Sequence, residues 1–146
     1  MINADESFLL ERYKWILERR RDLNNNTFKI TALYQTSLAF ILSGEFAVLS
    51  LGKSSELFIQ IMLTKILWSV FVVFSLFAML LLCSGIKAWI GYRLDEIKIE
   101  RIMGLAPRDP PKLSQALSWY ETYIIILIAF LLISGSVIFY DLTMRL

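Results

Sequence analysis

The 21 consecutive residues from position 66 to position 86 carry no charged side chain, and that run constrains the chain more than any other feature. At about 1.5 Å of rise per residue, a helix of this length covers a hydrocarbon core of about 30 Å. Lipid offers a backbone amide no partner, so a segment crossing it must satisfy its own hydrogen bonds, which an isolated segment does only as a helix. Composition agrees: the 146 residues are 57% hydrophobic and 19% charged, with a mean hydropathy of +0.59. That balance excludes intrinsic disorder and is unusual for a soluble globule.

Two further stretches are spans. Residues 122–140, built around Ile124, Ile125, Ile126, Leu127 and Ile128, are uncharged and follow Ser118-Trp-Tyr-Glu121, a capping sequence that predicts a helix start. Residues 30–51 are more dilute, because Gln35, Thr36, Ser37, Ser43 and Glu45 interrupt the apolar residues. A charge in mid-span costs about 2.5–3.5 kcal/mol on insertion scales. The charges outside support this span. With three spans, one side carries Arg12, Lys14, Arg19, Arg20, Arg21, Lys29, Lys87, Arg93, Lys98, Arg101, Arg108 and Lys112, and the other only Lys53, Lys65 and Arg145. By the positive-inside rule the N-terminus is in and the C-terminus out. A fourth span would expel the basic 87–121 loop, and residues 57–92 hold no turn in their middle. Trp68 and Trp89 are 21 positions apart, as are Trp119 and Tyr140, which on helices separates each pair by about 31 Å and suits anchors at the two interfaces.

The expected fold is therefore an all-α membrane protein with three transmembrane helices, an N-terminal amphipathic cytosolic helix and a long second helix extending into the cytosol. The boundaries are 1–27 for the amphipathic helix and hinge, 28–51 for the first span, 52–64 for a short outer loop and 65–92 for the second span. Residues 93–121 form the cytosolic extension and Pro-containing loop, 122–140 the third span and 141–146 an outer tail. The opening Asp5 and Glu6 do not read as a secretory signal. Over residues 5–23, Leu9, Leu10, Tyr13, Ile16, Leu17 and Leu23 share one arc, interrupted by Arg20. That arc lies either on lipid headgroups or on the cytosolic loop. The second is favoured, since Glu11, Glu18 and Asp22 dilute attraction to anionic lipid. Asn24, Asn25, Asn26 and Thr27 are expected to break and recap the chain before the first span. Leu94, Ile97, Arg101 and Ile102 carry the second helix on until Gly104, Pro107, Pro110 and Pro111 end it.

No catalytic constellation is visible. The chain has no histidine and one cysteine, Cys83, which excludes intrachain disulfides, Cys/His zinc sites and histidine acid–base chemistry. Cys83 lies in a span and reads as packing, with palmitoylation as the alternative. Gly85, Gly91 and Gly104 are too scattered for a phosphate loop. Acids interleave with bases, so no nucleic-acid stripe forms. No enzyme, cofactor or metal is expected. In the first span Ala32, Thr36, Ala39, Ser43, Ala47 and Ser50 recur every three or four residues. Membrane helices pack closely where side chains are small, so this stripe is a seam either within the protomer or between copies. Glu45 projects roughly opposite it; it pairs with Lys65, expected at similar depth, or lines a water-filled path as a ring of carboxylates favouring cations, or snorkels or is protonated. Arg19, Arg20, Arg21, Arg93, Lys98 and Arg101 are the residues expected to dock a partner or lipid.

The stretch ERYKWILERRR at 11–21, the Asn-rich segment after it and FKITALYQ at 28–35 leading into a span resemble the small multi-pass bacterial membrane proteins of anti-phage systems, nearest the SLATT-type transmembrane effectors. Those pair a charged N-terminal helix with a membrane hairpin and a cytosolic helical extension. The likeness covers roughly residues 8–103, and the third span departs from the hairpin plan. It implies an oligomeric effector that permeabilises the bacterial inner membrane when a partner senses infection. From the residues themselves, a self-associating membrane protein that forms or gates a permeation path stands beside a non-conducting anchor or regulatory subunit that docks a soluble cytosolic partner. A small-substrate transporter is disfavoured, because three spans offer no inverted repeat.

Overall fold

The structure is a computed structural model and describes residues 4–50, 57–106, 109–112 and 119–145. The described residues form three helices: α1, Ala4–Ser50; α2, Leu57–Ile102; and α3, Tyr120–Arg145. All three are long and apolar enough to cross a membrane. The most apolar window has a mean hydropathy of 1.3 in α1 against 2.7 in α2 and 2.6 in α3, so the first span is the dilute one, as its polar residues dictate. The chain divides into two compact units, Met1–Lys29 with Leu82–Tyr123 and Ile30–Leu81 with Ile124–Leu146. Both α1 and α2 contribute to each.

The expected break at 24–27 does not occur: α1 is helical without interruption from Ala4 to Ser50. Asparagine is only a weak helix former, about 0.7 kcal/mol worse than alanine per residue, and burial of the packed face outweighs three such residues. Thr27 does not cap a new helix. It is buried, and its hydroxyl donates to the Leu23 carbonyl one turn back at 3.1 Å, a bond that lets a hydroxyl sit inside a helix. The amphipathic helix and the first span are thus one element.

The less exposed residues of α1 keep a strict alternation of four and three. Leu9, Tyr13, Ile16, Arg20, Leu23, Thr27, Ile30, Tyr34, Ser37, Ile41, Gly44 and Val48 are all buried or half-buried. On α2 the same holds for Ile61, Thr64, Trp68, Phe71, Ser75, Ala78, Leu82, Gly85, Trp89, Tyr92, Glu96 and Ile99. A repeat of 3.5 residues keeps one seam facing a partner helix and imposes a left-handed supercoil. In each unit the two helices run antiparallel, since Tyr34 meets Ser75 and Glu45 meets Thr64 in one, and Trp15 meets Tyr92 and Arg20 meets Trp89 in the other.

Helix α2 begins at Leu57, eight residues before the expected boundary at 65. It ends where expected. Gly104 adopts φ +70°, its N–H donates to the Arg101 carbonyl at 3.2 Å, and the Leu105 N–H donates to Glu100 at 2.9 Å. This is a Schellman stop, which a residue with a Cβ adopts only with strain. Helix α3 begins at Tyr120, with the Trp119 carbonyl accepting from Thr122 and Tyr123. It runs on into the expected tail. The cap expected at Ser118 lies outside the described residues, as do the outer-loop residues 51–56, Pro107 and Arg108.

In the 30–81/124–146 unit, Trp68 stacks on Phe139 with ring centroids 5.3 Å apart, and it faces Gly135, where an added Cβ would lie 2.7 Å from the indole. Gly135 is what lets the ring lie against α3. Trp68 is therefore half-buried between helices, while Tyr140 is exposed. The unit's exterior is apolar: Phe46 is 76% exposed, and Phe40, Phe58, Leu80 and Ile133 are similarly bare. In water that surface would drive aggregation, whereas in hydrocarbon it is solvated.

The unbroken α1 is testable at Asn25, which is exposed. Asn25→Ala should leave stability in detergent unchanged or raise it by about 0.5 kcal/mol, whereas Asn25→Pro should lower it by about 3 kcal/mol. Thermal unfolding followed by circular dichroism measures both. A hinge at this position would tolerate proline.

Candidate functional site

The seam of α1 leaves its opposite face free. Ala32, Thr36, Ala39, Ser43 and Ser50 each lie two residues beyond a seam position, and Ala47 three, and all six are exposed. Two residues turn a helix by about 200°, so the stripe points away from the contacts that hold the protomer together. Two of its three hydroxyls are quenched locally: Thr36 donates to the Ala32 carbonyl at 2.9 Å and Ser50 to Ala47 at 2.8 Å. What remains is a smooth, small-residue surface, the kind along which helices approach closely in lipid. Among the described residues, packing within the protomer leaves all six exposed.

Glu45 lies beside the seam, on the side away from the stripe, and is half-buried. Thr64 donates to its carboxylate at 3.2 Å. Lys65 is exposed, and among the described residues no ion pair joins it to Glu45. The expected partner is thus one residue off. Positions 64 and 65 differ by about 100° on the helix, and only 64 is on the α2 seam. About three turns further along, the Tyr34 hydroxyl and Ser75 are 3.1 Å apart, both buried.

The basic residues separate into two groups. Arg20 and Arg93 turn inward, each guanidinium 2.6 Å from the same oxygen of Glu96, whose side chain is fully buried. Arg20 also lies over the Trp89 ring, 4.9 Å from its centroid. These two are therefore corrected from docking residues to the interior of the 1–29/82–123 unit. Arg20 interrupts the apolar arc because it occupies a seam position and meets a buried acid. Glu96 holds two guanidiniums that would otherwise be desolvated without compensation. Arg19, Arg21, Lys98 and Arg101 are exposed; Arg19 pairs loosely with Asp22 at 3.8 Å and Lys98 with Asp95 at 3.2 Å. Such surface pairs contribute about 0–1 kcal/mol and leave the charges available to a partner. Of the N-terminal arc, Ile16 is 1% exposed and Leu9, Tyr13 and Leu23 are half-buried, while Leu10 and Leu17 are exposed; beside it the exposed Trp15 meets Tyr92 edge-on at 5.7 Å.

Beside this cluster lies an open cleft of about 370 Å³. Trp89 and Trp119, in edge contact at 4.4 Å, form one wall, and Phe28 stacked on Tyr120 at 5.4 Å forms another. Leu23, Asn24, Thr27, Gly85, Ile86 and Glu121 complete the lining. Among the described residues no group of three or more Cys, Asp or Glu is arranged to hold a metal ion, and Cys83 is exposed and unbridged.

Comparison with protein-family models, curated proteins and solved structures finds no match for this chain. Its functional reading therefore rests on its own residues.

Glu96 was the residue least visible in the sequence, where it sits among Asp95, Lys98, Glu100 and Arg101 as one charge of a solvated face. The signal that finds it is the seven-residue spacing: Glu96 stands seven from Trp89 and fourteen from Leu82. Glu96→Ala should lower stability by about 3–5 kcal/mol, because it strands two part-buried guanidiniums. Arg20→Met with Glu96→Met should recover part of that loss. Thermal melts of the single and double variants measure the difference, and a Glu96→Ala protein as stable as the parent would contradict the buried clamp.

Proposed function

We propose that the chain is a small self-associating protein of the bacterial inner membrane, N-terminus in the cytosol, whose copies meet through the small-residue face of α1 and together permeabilise the bilayer. The resemblance to anti-phage membrane effectors supplies the biological setting, growth arrest of an infected cell. The observation that carries the reading is that Ala32, Thr36, Ala39, Ser43, Ala47 and Ser50 are all exposed on a helix whose other face holds the protomer together. A helix seldom spends six small residues on surface that meets only lipid, since larger apolar side chains solvate equally well there and only close helix approach rewards small ones.

The engagement of Glu45 by Thr64 favours attention to a second reading. Glu45 is the only acidic or basic side chain of residues 30–50, and a bond from Thr64 within the protomer gives it a partner that does not require a path between copies. A non-conducting anchor, which docks a soluble partner through the exposed Arg19, Arg21, Lys98 and Arg101, accommodates that arrangement.

One set of variants separates the two. Ala39→Leu and Ser43→Leu should convert a defined homo-oligomer in mild detergent into monomers by mass photometry, and should abolish growth arrest on expression. An anchor would keep its oligomeric state and activity in those variants, and would lose activity on charge reversal at Arg19, Arg21 and Arg101.

A further inference from the structure

The aromatic cleft of the 1–29/82–123 unit lies where two spans meet headgroups. Ile86 is the last residue of the uncharged run 66–86, and Glu121 directly precedes the uncharged run 122–140; both line the cleft. Whichever face of the membrane is cytosolic, the cleft sits at the boundary between hydrocarbon and water. Its volume of about 370 Å³ falls in the range of small-molecule sites and admits a phospholipid headgroup.

The lining selects among headgroups. Glu121 is half-buried, and its carboxylate makes no hydrogen bond or ion pair among the described residues. An unpaired acid beside indole and phenol rings repels a bare phosphate and attracts a cation, which the ring faces also favour. The indole of Trp89 already accepts a cation on its face in the Arg20 guanidinium. Asn24 adds an amide oxygen to the lining, and a carboxylate and an amide together accept N–H bonds that a primary ammonium donates and a quaternary one lacks. Lys29 and Lys87, each one residue beyond the lining residues Phe28 and Ile86, are exposed and place positive charge near the rim for a phosphodiester. We propose that this cleft binds the phosphoethanolamine headgroup of a membrane phospholipid, with the ammonium at Glu121 between the aromatic walls.

Native mass spectrometry of the full chain, released from detergent with equal amounts of phosphatidylethanolamine, phosphatidylcholine and phosphatidylglycerol of matched acyl chains, tests this. The parent protein should retain one phosphatidylethanolamine at least about tenfold over either competitor, the discrimination that one charge-assisted hydrogen bond supplies. Glu121→Gln should lose that preference while keeping phosphatidylglycerol retention unchanged. Equal retention of the three lipids by the parent, a measurement that needs no variant, would overturn the proposal, as would a preference that survives Glu121→Gln. Displacement of the bound lipid by free ethanolamine at millimolar concentration would assign the cleft to a soluble amine and overturn the lipid reading.

Discussion

Hydrocarbon gives a polar group nothing to bond to, and the spans of this protein are arranged around that fact. Backbone amides are satisfied within three long helices. Hydroxyls in the spans turn back on the carbonyl one turn earlier, as in Thr36 on Ala32, Ser69 on Lys65 and Ser136 on Leu132. The polar side chains that cannot do so are paired across the α1–α2 seam, Tyr34 with Ser75 and Glu45 with Thr64. An unpaired hydroxyl or carboxylate at those positions would cost several kcal/mol. Most of the surface left to face outward is apolar or small, with Gln35 and Lys65 the exposed polar exceptions.

The same seam explains the charged part of the molecule. Thr64, Phe71 and Ala78 are apolar or neutral steps of a seven-residue repeat on α2, and the repeat continues through Gly85, Tyr92 and Ile99. Its intervening steps arrive at Trp89 and Glu96, so the seam that is apolar in one unit becomes aromatic and then ionic in the other. Arg20 stands on the corresponding seam of α1. A pair of guanidiniums on one buried carboxylate is demanding in geometry, and it specifies which acid and which bases may meet; apolar contacts alone would tolerate a shifted register.

Three spans, the long second helix and its stop at Gly104 were legible because they rest on uncharged run length and on residues that forbid helix. The continuity of α1 was not, because asparagines signal a turn only weakly and burial decides. The partner of Glu45 was misread by one residue, since depth in the membrane was counted while helix face was not. Arg20 and Arg93 were grouped with the docking cations for a related reason: a charge in sequence carries no sign of burial until its place on the seam is known. The exposed stripe was legible as a pattern, but its direction was not, because the face that holds the protomer had to be located first.

α1 is thus a helix with two distinct faces, one that builds the protomer and one of small residues that is exposed among the described residues and along which copies are proposed to meet. The direct test is cysteine cross-linking in native membranes, in a Cys83→Ser background, with a short bismaleimide. Ser43→Cys should give a covalent dimer in high yield, whereas Val48→Cys, placed on the buried seam, should give none. Equal cross-linking at both positions, or none at Ser43→Cys, would contradict the account.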